Sequence, residues 1–173
     1  MLRKLHNPCI DAYKELKKTI FKRTFNWHYA DSGTGLDYYI HVLLHRHEIM
    51  KVSYVEDHRL WNNVMYVVDN ILEVNNFTKN YFYLRAAVNS VHSNIGIQKG
   101  EMHHDHFFAH QNIILYLSNV GGRTFVEDEE FEPQEDDVLL FEGLHCMERP
   151  KKGRRVVVIC TIFNEDLVTR KND

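Results

Sequence analysis

Asn112-Ile113-Ile114-Leu115-Tyr116-Leu117 leads through Ser118-Asn119-Val120 into Gly121-Gly122-Arg123-Thr124-Phe125-Val126, and this stretch decides the fold class. Its first part is a short apolar run of strand length. Gly121-Gly122 is a turn signal, and Arg123 to Val126 reads as a second strand. The pattern continues outward on both sides. Residues 81–91, 112–117, 123–126, 137–141 and 155–163 are short runs rich in β-branched and aromatic residues, parted by Gly121-Gly122, Glu132-Pro133 and Lys151-Lys152-Gly153. Several short strands at such spacing predict a β-sandwich or barrel.

The part before residue 77 has a different character. Asn7-Pro8 has the form of a helix start, with Asn as N-cap and Pro at the first helical position. Ile10, Tyr13, Leu16 or Lys17, and Ile20 recur at helical spacing, which predicts a helix over 9–21. Leu60, Val64, Val67 or Val68, and Ile71 share one face of a second helix over 57–73, closed by Val74-Asn75-Asn76. Residues 25–29 are expected to form a short strand and 31–35 a loop, while the period of 38–47 does not decide between helix and strand. Helices followed by strands describe an α+β chain, with helices buttressing a β-sandwich. No repeat or linker divides it, so one domain over 1–173 is expected.

Composition narrows the function. The 173 residues carry 21 Lys and Arg against 24 Asp and Glu, for a net charge of −3, which gives no basic footprint for nucleic acid or an anionic membrane. Cys9, Cys146 and Cys160 are odd in number and far apart, so neither a disulfide framework nor a cysteine zinc site is expected. No apolar run approaches the length of a membrane span, and the N-terminus lacks a signal-peptide pattern. A soluble, cytoplasmic protein is the expectation. Two charge blocks, the acidic stretch 127–137 and the basic stretch 149–155, read first as solvated inter-strand loops.

Histidine is in excess, with 12 residues, of which His92, His103, His104, His106 and His110 crowd one segment. Within it His103-His104-Asp105 contains His-x-Asp. In an extended strand, residues two apart share a face, so an imidazole and a carboxylate would stand side by side and could share one metal ion. His145, after the strand Val138-Leu139-Leu140-Phe141 and the turn Glu142-Gly143-Leu144, is the candidate third ligand. Two histidines and one carboxylate on one side of a metal form the facial triad of non-haem Fe(II) oxygenases, which leaves positions open for a chelating co-substrate and dioxygen.

The order of these features resembles the catalytic domain of the 2-oxoglutarate/Fe(II)-dependent dioxygenases, specifically the prolyl-4-hydroxylase-like group. His-x-Asp is followed by an apolar strand ending in Tyr116-Leu117, a Gly-Gly-x-Thr turn ending at Thr124, a strand ending in Phe141-Glu142-Gly143, the distal His145, and a basic residue opening the last strand. The resemblance covers 81–163 well and the earlier region loosely. It implies a double-stranded β-helix (jelly roll, cupin-like) core over 81–165 on a mainly helical support region over 1–80. It implies His103, Asp105 and His145 as iron ligands, with Fe(II), 2-oxoglutarate as co-substrate and dioxygen as the reactants. Arg155 matches the residue that pairs with the distal carboxylate of 2-oxoglutarate, and its planar guanidinium suits a bidentate grip. Spacing alone leaves Arg154 as the other register. Tyr116 and Thr124 match positions that help hold the co-substrate, although a strand tyrosine is as often core packing.

The implied activity is hydroxylation of a prolyl or other protein side chain, or of a small molecule, with release of succinate and carbon dioxide. The alternative is a cupin-like metal-binding or interaction module without oxygenase activity, in which Arg155 would not face the metal cavity. His104 and His106 are expected to point away from the metal, Cys146 to be a small packed residue, and Trp27 and Trp61 to pack in the core. His92, ahead of the 93–97 loop, is a candidate for the substrate mouth. Val157 stands where some relatives carry Ser or Thr. The acidity of the 127–135 loop would disfavour acidic substrates if that loop lay at the site.

Overall fold

A computed structural model describes residues 2–30, 35–46, 54–93 and 97–164. Its strands are β1 (Leu2–Leu5), β2 (His28–Ala30), β3 (Tyr38–Leu44), β4 (Tyr81–His92), β5 (Gln111–Tyr116), β6 (Thr124–Val126), β7 (Glu129–Phe131), β8 (Val138–Phe141), β9 (His145–Met147) and β10 (Arg154–Asn164). Two helices, α1 (Asp11–Ile20) and α2 (His58–Val74), complete the described elements. The strands form a seven-stranded sheet in the order β1-β8-β5-β10-β4-β3-β2 and a three-stranded sheet in the order β7-β6-β9. Every pairing is antiparallel.

The apolar runs are continuous because the central strands are buried on both faces. On β5, Ile113 and Leu115 join the cluster under the helices, while Ile114 and Tyr116 join a second cluster with Val126 of β6 and Phe131 of β7. On β8, Val138 and Leu140 go one way, Leu139 and Phe141 the other; on β10, Val156 and Val158 oppose Val157 and Ile159. Such two-sided burial erases the polar–apolar alternation of a one-sided sheet. The helices cover one face through Tyr13, Leu16 and Ile20 of α1 and Val64, Val67, Val68 and Ile71 of α2. The small sheet covers part of the other. Two sheets packed this way, with β10 at the centre of the larger, make a double-stranded β-helix backed by helices.

Several local expectations change. Asn7 does not cap α1: its Oδ1 accepts from Cys9 N at 3.0 Å, Cys9 has φ +48°, and the helix begins only at Asp11. The buried face uses Leu16 rather than Lys17, whose ammonium reaches Asp136 at 2.7 Å and also pairs with Glu135. α2 starts as expected, with Asp57 Oδ1 accepting from Leu60 N at 3.0 Å. Residues 38–44 are strand, and 25–29 shifts to His28–Ala30. β1 was not visible in the sequence, because a four-residue edge strand with Arg3 and Lys4 in its centre has no apolar signature. The acidic block is not simply a loop, since it contains β7, and Asp137 pairs with Lys4 at 2.6 Å. Trp61 packs edge-on against Tyr83 at 5.0 Å, and Trp27 packs on the helix-side core, as read. The loop read at 31–35 lies outside the described residues except Gly35, and His47 also lies outside them.

Candidate metal centre

β4, β5 and β10 present every second residue to the face away from the helices. Asn89 of β4, Asn112 and Ile114 of β5, and Arg155 and Ile159 of β10 line a cavity of about 300 Å³ on that face. His103, Asp105 and His145 line the same cavity, and one ligand atom from each lies within 4.8 Å of the others. His103 is not on a strand, as the His-x-Asp reading supposed. It forms a lone antiparallel bridge with His145, the two backbones exchanging N–H···O bonds at 3.0 Å each way. That bridge sets the imidazoles together with ring centres 4.6 Å apart. Asp105 follows in a bend and turns Oδ2 to within 3.3 Å of His145 Nε2.

The backbone orients both rings. His103 Nδ1 lies 3.0 Å from Glu101 O and His145 Nδ1 lies 3.3 Å from Gly143 O. A carbonyl accepts only, so each Nδ1 carries a proton and each Nε2 is turned to the metal-binding group. Burial lowers the pKa of His103, which favours its neutral form. Burial alone would raise the Asp105 carboxyl, but the His145 contact and the Arg85 and Arg46 guanidiniums outweigh it and hold the group far below the usual carboxylate range. Glu127 pins the turn before His145: its Oε1 accepts from Leu144 N at 2.7 Å and its own N–H donates to Leu144 O at 2.9 Å.

Arg155 is 2% exposed. Its Nη2 donates to Thr124 Oγ1 at 2.9 Å, its Nη1 reaches Met147 Sδ at 2.8 Å, and Nε has no hydrogen-bond partner. Tyr116 lies beneath it, with the guanidinium carbon 5.1 Å from the ring centre and the phenol 2.8 Å from Thr124 Oγ1. Tyr116 is 1% exposed and does not itself line the cavity. Gly122, at φ +91°, makes room for the arginine: a Cβ there would stand 3.1 Å from Arg155 Cδ and 2.8 Å from Glu148 O. Arg154 points the other way, over the rings of Phe21 at 5.5 Å and Trp27 at 5.7 Å.

The other sequence candidates separate cleanly. His106 turns from the metal group to Thr161 Oγ1 at 2.9 Å, whereas His104 lines the cavity, against expectation, because the segment is a bend and strand alternation does not apply. Cys146 is packed, at 2% exposure, as expected. His92 is not at this mouth; it stacks edge-on with Tyr39 at 5.4 Å, in a pocket shared with Trp27 and Arg154. Arg46, Arg85, Asn89 and Asn112 were not singled out from the sequence. Arg85 and Asn89 had a signal, being polar residues of one parity inside a strand otherwise read as buried. Arg46 had none.

The donor set suits an octahedral divalent metal with open positions. A buried guanidinium whose Nε lacks a partner, with no carboxylate paired to it among the described residues, suits a carboxylate ligand in the same cavity. Solved structures of 2OG-Fe(II) oxygenases and prolyl hydroxylases share this double-stranded β-helix fold. An oxidoreductase of the 2OG-Fe(II) oxygenase family from Burkholderia pseudomallei superposes with a TM-score of 0.68 over 93% of this chain and 84% of that one, at 12% identity. A Pseudomonas putida prolyl-4-hydroxylase gives 0.64 over 95% and 92%, at 12% identity. A Trichoplax adhaerens prolyl hydroxylase, in complex with a hypoxia-inducible-factor peptide fragment, gives 0.61 over 95% and 84%, at 13% identity. At such identities the likeness is one of fold. No protein-family model matches the sequence, and no curated protein matches it. Among the described residues no helix is long and apolar enough to cross a membrane.

Proposed function

We propose that the chain is a 2-oxoglutarate- and Fe(II)-dependent dioxygenase that hydroxylates a substrate, with His103, Asp105 and His145 as the iron ligands and Arg155 as the anchor of the co-substrate's distal carboxylate. One observation carries this reading: Arg155, buried and without a carboxylate partner among the described residues, lines the same cavity as the His-Asp-His group. The cupin-like binding module requires Arg155 to face elsewhere, and so is disfavoured. When bound, the iron and 2-oxoglutarate would supply an oxidant made from dioxygen, with succinate and carbon dioxide as the by-products.

The chain's own residues have separable tasks. Glu101 O and Gly143 O orient the two imidazoles so that Nε2 turns to the metal-binding group. Thr124 orients Arg155, and Tyr116 supports both from beneath. Ile114, Phe141 and Ile159 give the cavity an apolar wall that limits water. A protein side chain, prolyl or other, or a small molecule is the proposed substrate range. The free thiols of Cys9, Cys146 and Cys160 suit a reducing, cytoplasmic setting.

Anaerobic addition of Fe(II) and 2-oxoglutarate tests the reading. A visible metal-to-ligand charge-transfer band is expected in the wild type and should vanish in His103→Ala and Asp105→Ala. Absence of the band, together with no succinate on admission of oxygen, would overturn it.

A further inference from the structure

Asn112 holds an amide that the protein itself leaves unpaired. It lines the metal-binding cavity from β5, it is 1% exposed, and neither its Nδ2 nor its Oδ1 has a hydrogen-bond partner. The amide offers two N–H donors and an acceptor oxygen. An unpaired buried polar group is destabilising, and folded proteins keep few of them.

Its neighbours are committed elsewhere. Asn112 lies opposite Thr161 of β10 on one side and Phe141 of β8 on the other. Thr161 Oγ1 is bonded to His106 Nε2 at 2.9 Å. The Phe141 side chain has no polar atom, and its ring lies 4.9 Å from that of His145. Arg85, beyond Thr161 in the same row, donates to Asp105 Oδ1 at 3.1 Å. The row thus runs beside Asp105 and His145, and Asn112 stands between the residues that contact them.

The co-substrate does not reach this amide. Arg155 stacks over Tyr116, four residues along β5 from Asn112, which is about 13 Å of strand. The four carbon–carbon bonds of 2-oxoglutarate span about 6 Å. Anchored at Arg155, it ends short of the Asn112 row. Asn89, whose Oδ1 also lacks a partner, differs: it shares the Tyr116 row across Val157 and lies at the co-substrate end.

We infer that Asn112 recognises the primary substrate, and that this substrate presents an amide edge, an N–H and a carbonyl oxygen side by side, beside the metal. Two such edges pair through two hydrogen bonds, which satisfies both atoms of Asn112. A trans peptide unit cannot do this, because its N–H and C=O point to opposite sides. A primary carboxamide or a ring amide can. Specificity follows from the unpaired group, since a substrate lacking either partner leaves a buried atom of Asn112 unsatisfied. The inference rests on the reading of this cavity as a metal and 2-oxoglutarate site, and it names a substrate class for that site.

The test reads binding near the metal rather than turnover. The protein is loaded with Mn(II) and 2-oxoglutarate under anaerobic conditions. Acetamide is then added, and paramagnetic broadening of its methyl proton resonance is followed by NMR. Saturable broadening is expected in the wild type. Methyl acetate, which keeps the carbonyl and lacks the N–H, should bind about fivefold weaker or more. Asn112→Ala and Asn112→Leu should each weaken acetamide about fivefold or more and leave 2-oxoglutarate affinity within about twofold of wild type. Asn112→Leu should also raise the Tm of the ligand-free protein, because it removes two unpaired polar atoms at nearly constant volume. Should Asn112→Leu not fold, Asn112→Ala carries the binding test alone. Tighter acetamide than 2-pyrrolidinone assigns an open-chain carboxamide, and the reverse assigns a ring amide. No saturable broadening with the loaded wild type, or acetamide affinities in both variants within about twofold of wild type, would overturn the inference. A loss of about fivefold or more in 2-oxoglutarate affinity in Asn112→Ala would overturn it too, by placing the amide on the co-substrate. Failure to take up Mn(II) and 2-oxoglutarate in the first step would instead overturn the reading of the cavity, and the inference with it.

Discussion

Replacing Arg155 with methionine should move stability and co-substrate affinity in opposite directions. In the ligand-free protein the guanidinium is buried with only neutral partners: Thr124 Oγ1 at 2.9 Å, Met147 Sδ at 2.8 Å and the Tyr116 ring at 5.1 Å. Burial accordingly lowers the pKa of the guanidinium. Desolvating an ion costs several kcal/mol even after relaxation. A hydrogen bond to a hydroxyl returns about 1 kcal/mol net, a thioether is a weaker acceptor, and a desolvated cation–π contact returns about 2 kcal/mol. An unbranched apolar side chain of similar length removes the cost and keeps the packing. Arg155→Met should therefore stabilise the ligand-free protein by about 1–3 kcal/mol, on the scale seen when buried ions are replaced by apolar groups. At about 2–4 °C per kcal/mol for a chain of this size, Tm should rise by about 2–12 °C. The same change would remove the two charge-assisted bonds proposed between Arg155 and the co-substrate, at about 1.5–3 kcal/mol each, so 2-oxoglutarate should bind roughly 100-fold weaker or more. Thermal scanning without ligand and calorimetry with Mn(II) and 2-oxoglutarate measure the two effects. Arg154→Met is the control, expected to leave 2-oxoglutarate affinity unaltered because Arg154 stacks on Phe21 and Trp27 across the sheet. A less stable Arg155→Met protein that still binds 2-oxoglutarate within about threefold of wild type would refute the reasoning, since about 0.7 kcal/mol is less than one charge-assisted bond.

Other outcomes follow from single contacts. Gly121→Ala and Gly122→Ala both impose a side chain at positive φ, at about 1–3 kcal/mol each; only Gly122→Ala should also weaken 2-oxoglutarate binding, because only there would the Cβ press on Arg155, as calorimetry of the pair would show. Asp57→Ala removes the α2 cap and should cost about 1 kcal/mol in chemical denaturation, with co-substrate affinity unchanged. Burial lowers the pKa of His110, whose Nδ1 lies 2.7 Å from Phe108 O and whose Nε2 has no partner. The unfolded chain then takes up the proton first, so stability is full above pH 6.5 and falls as pH drops through the ordinary value toward the folded one. His110→Asn, which keeps a donor for Phe108 O, should flatten that limb in a series of denaturation midpoints against pH.

The strands were legible because two-sided burial writes them as unbroken apolar runs, and α2 because its apolar stripe and Asp57 cap both have sequence signatures. β1, β7 and β9 were not, since strands of three or four residues with charged or mixed composition have no period to read. Asn7-Pro8 carried the chemistry of a cap, yet Cys9 turns the chain and puts the helix start at Asp11. In the site, His103, Asp105 and His145 stood out by type and order, although the strand geometry used to pair the first two is absent. A lone bridge to His145 does that job.

By itself, the sequence determined which residues can ligate a metal, because imidazole and carboxylate chemistry belongs to the side chain. It also determined that β10 opens with adjacent arginines. Only the tertiary structure decided between them, since neighbours on a strand face opposite sides: Arg155 goes to the cavity and Arg154 to the helices. The same pleat carries Arg85 and Asn89 into the cavity, and a loop 59 residues before Asp105 brings Arg46 to its carboxylate. Such long-range juxtapositions set the charge of the cavity. They depend on strand register and sheet order, which no local stretch of sequence encodes.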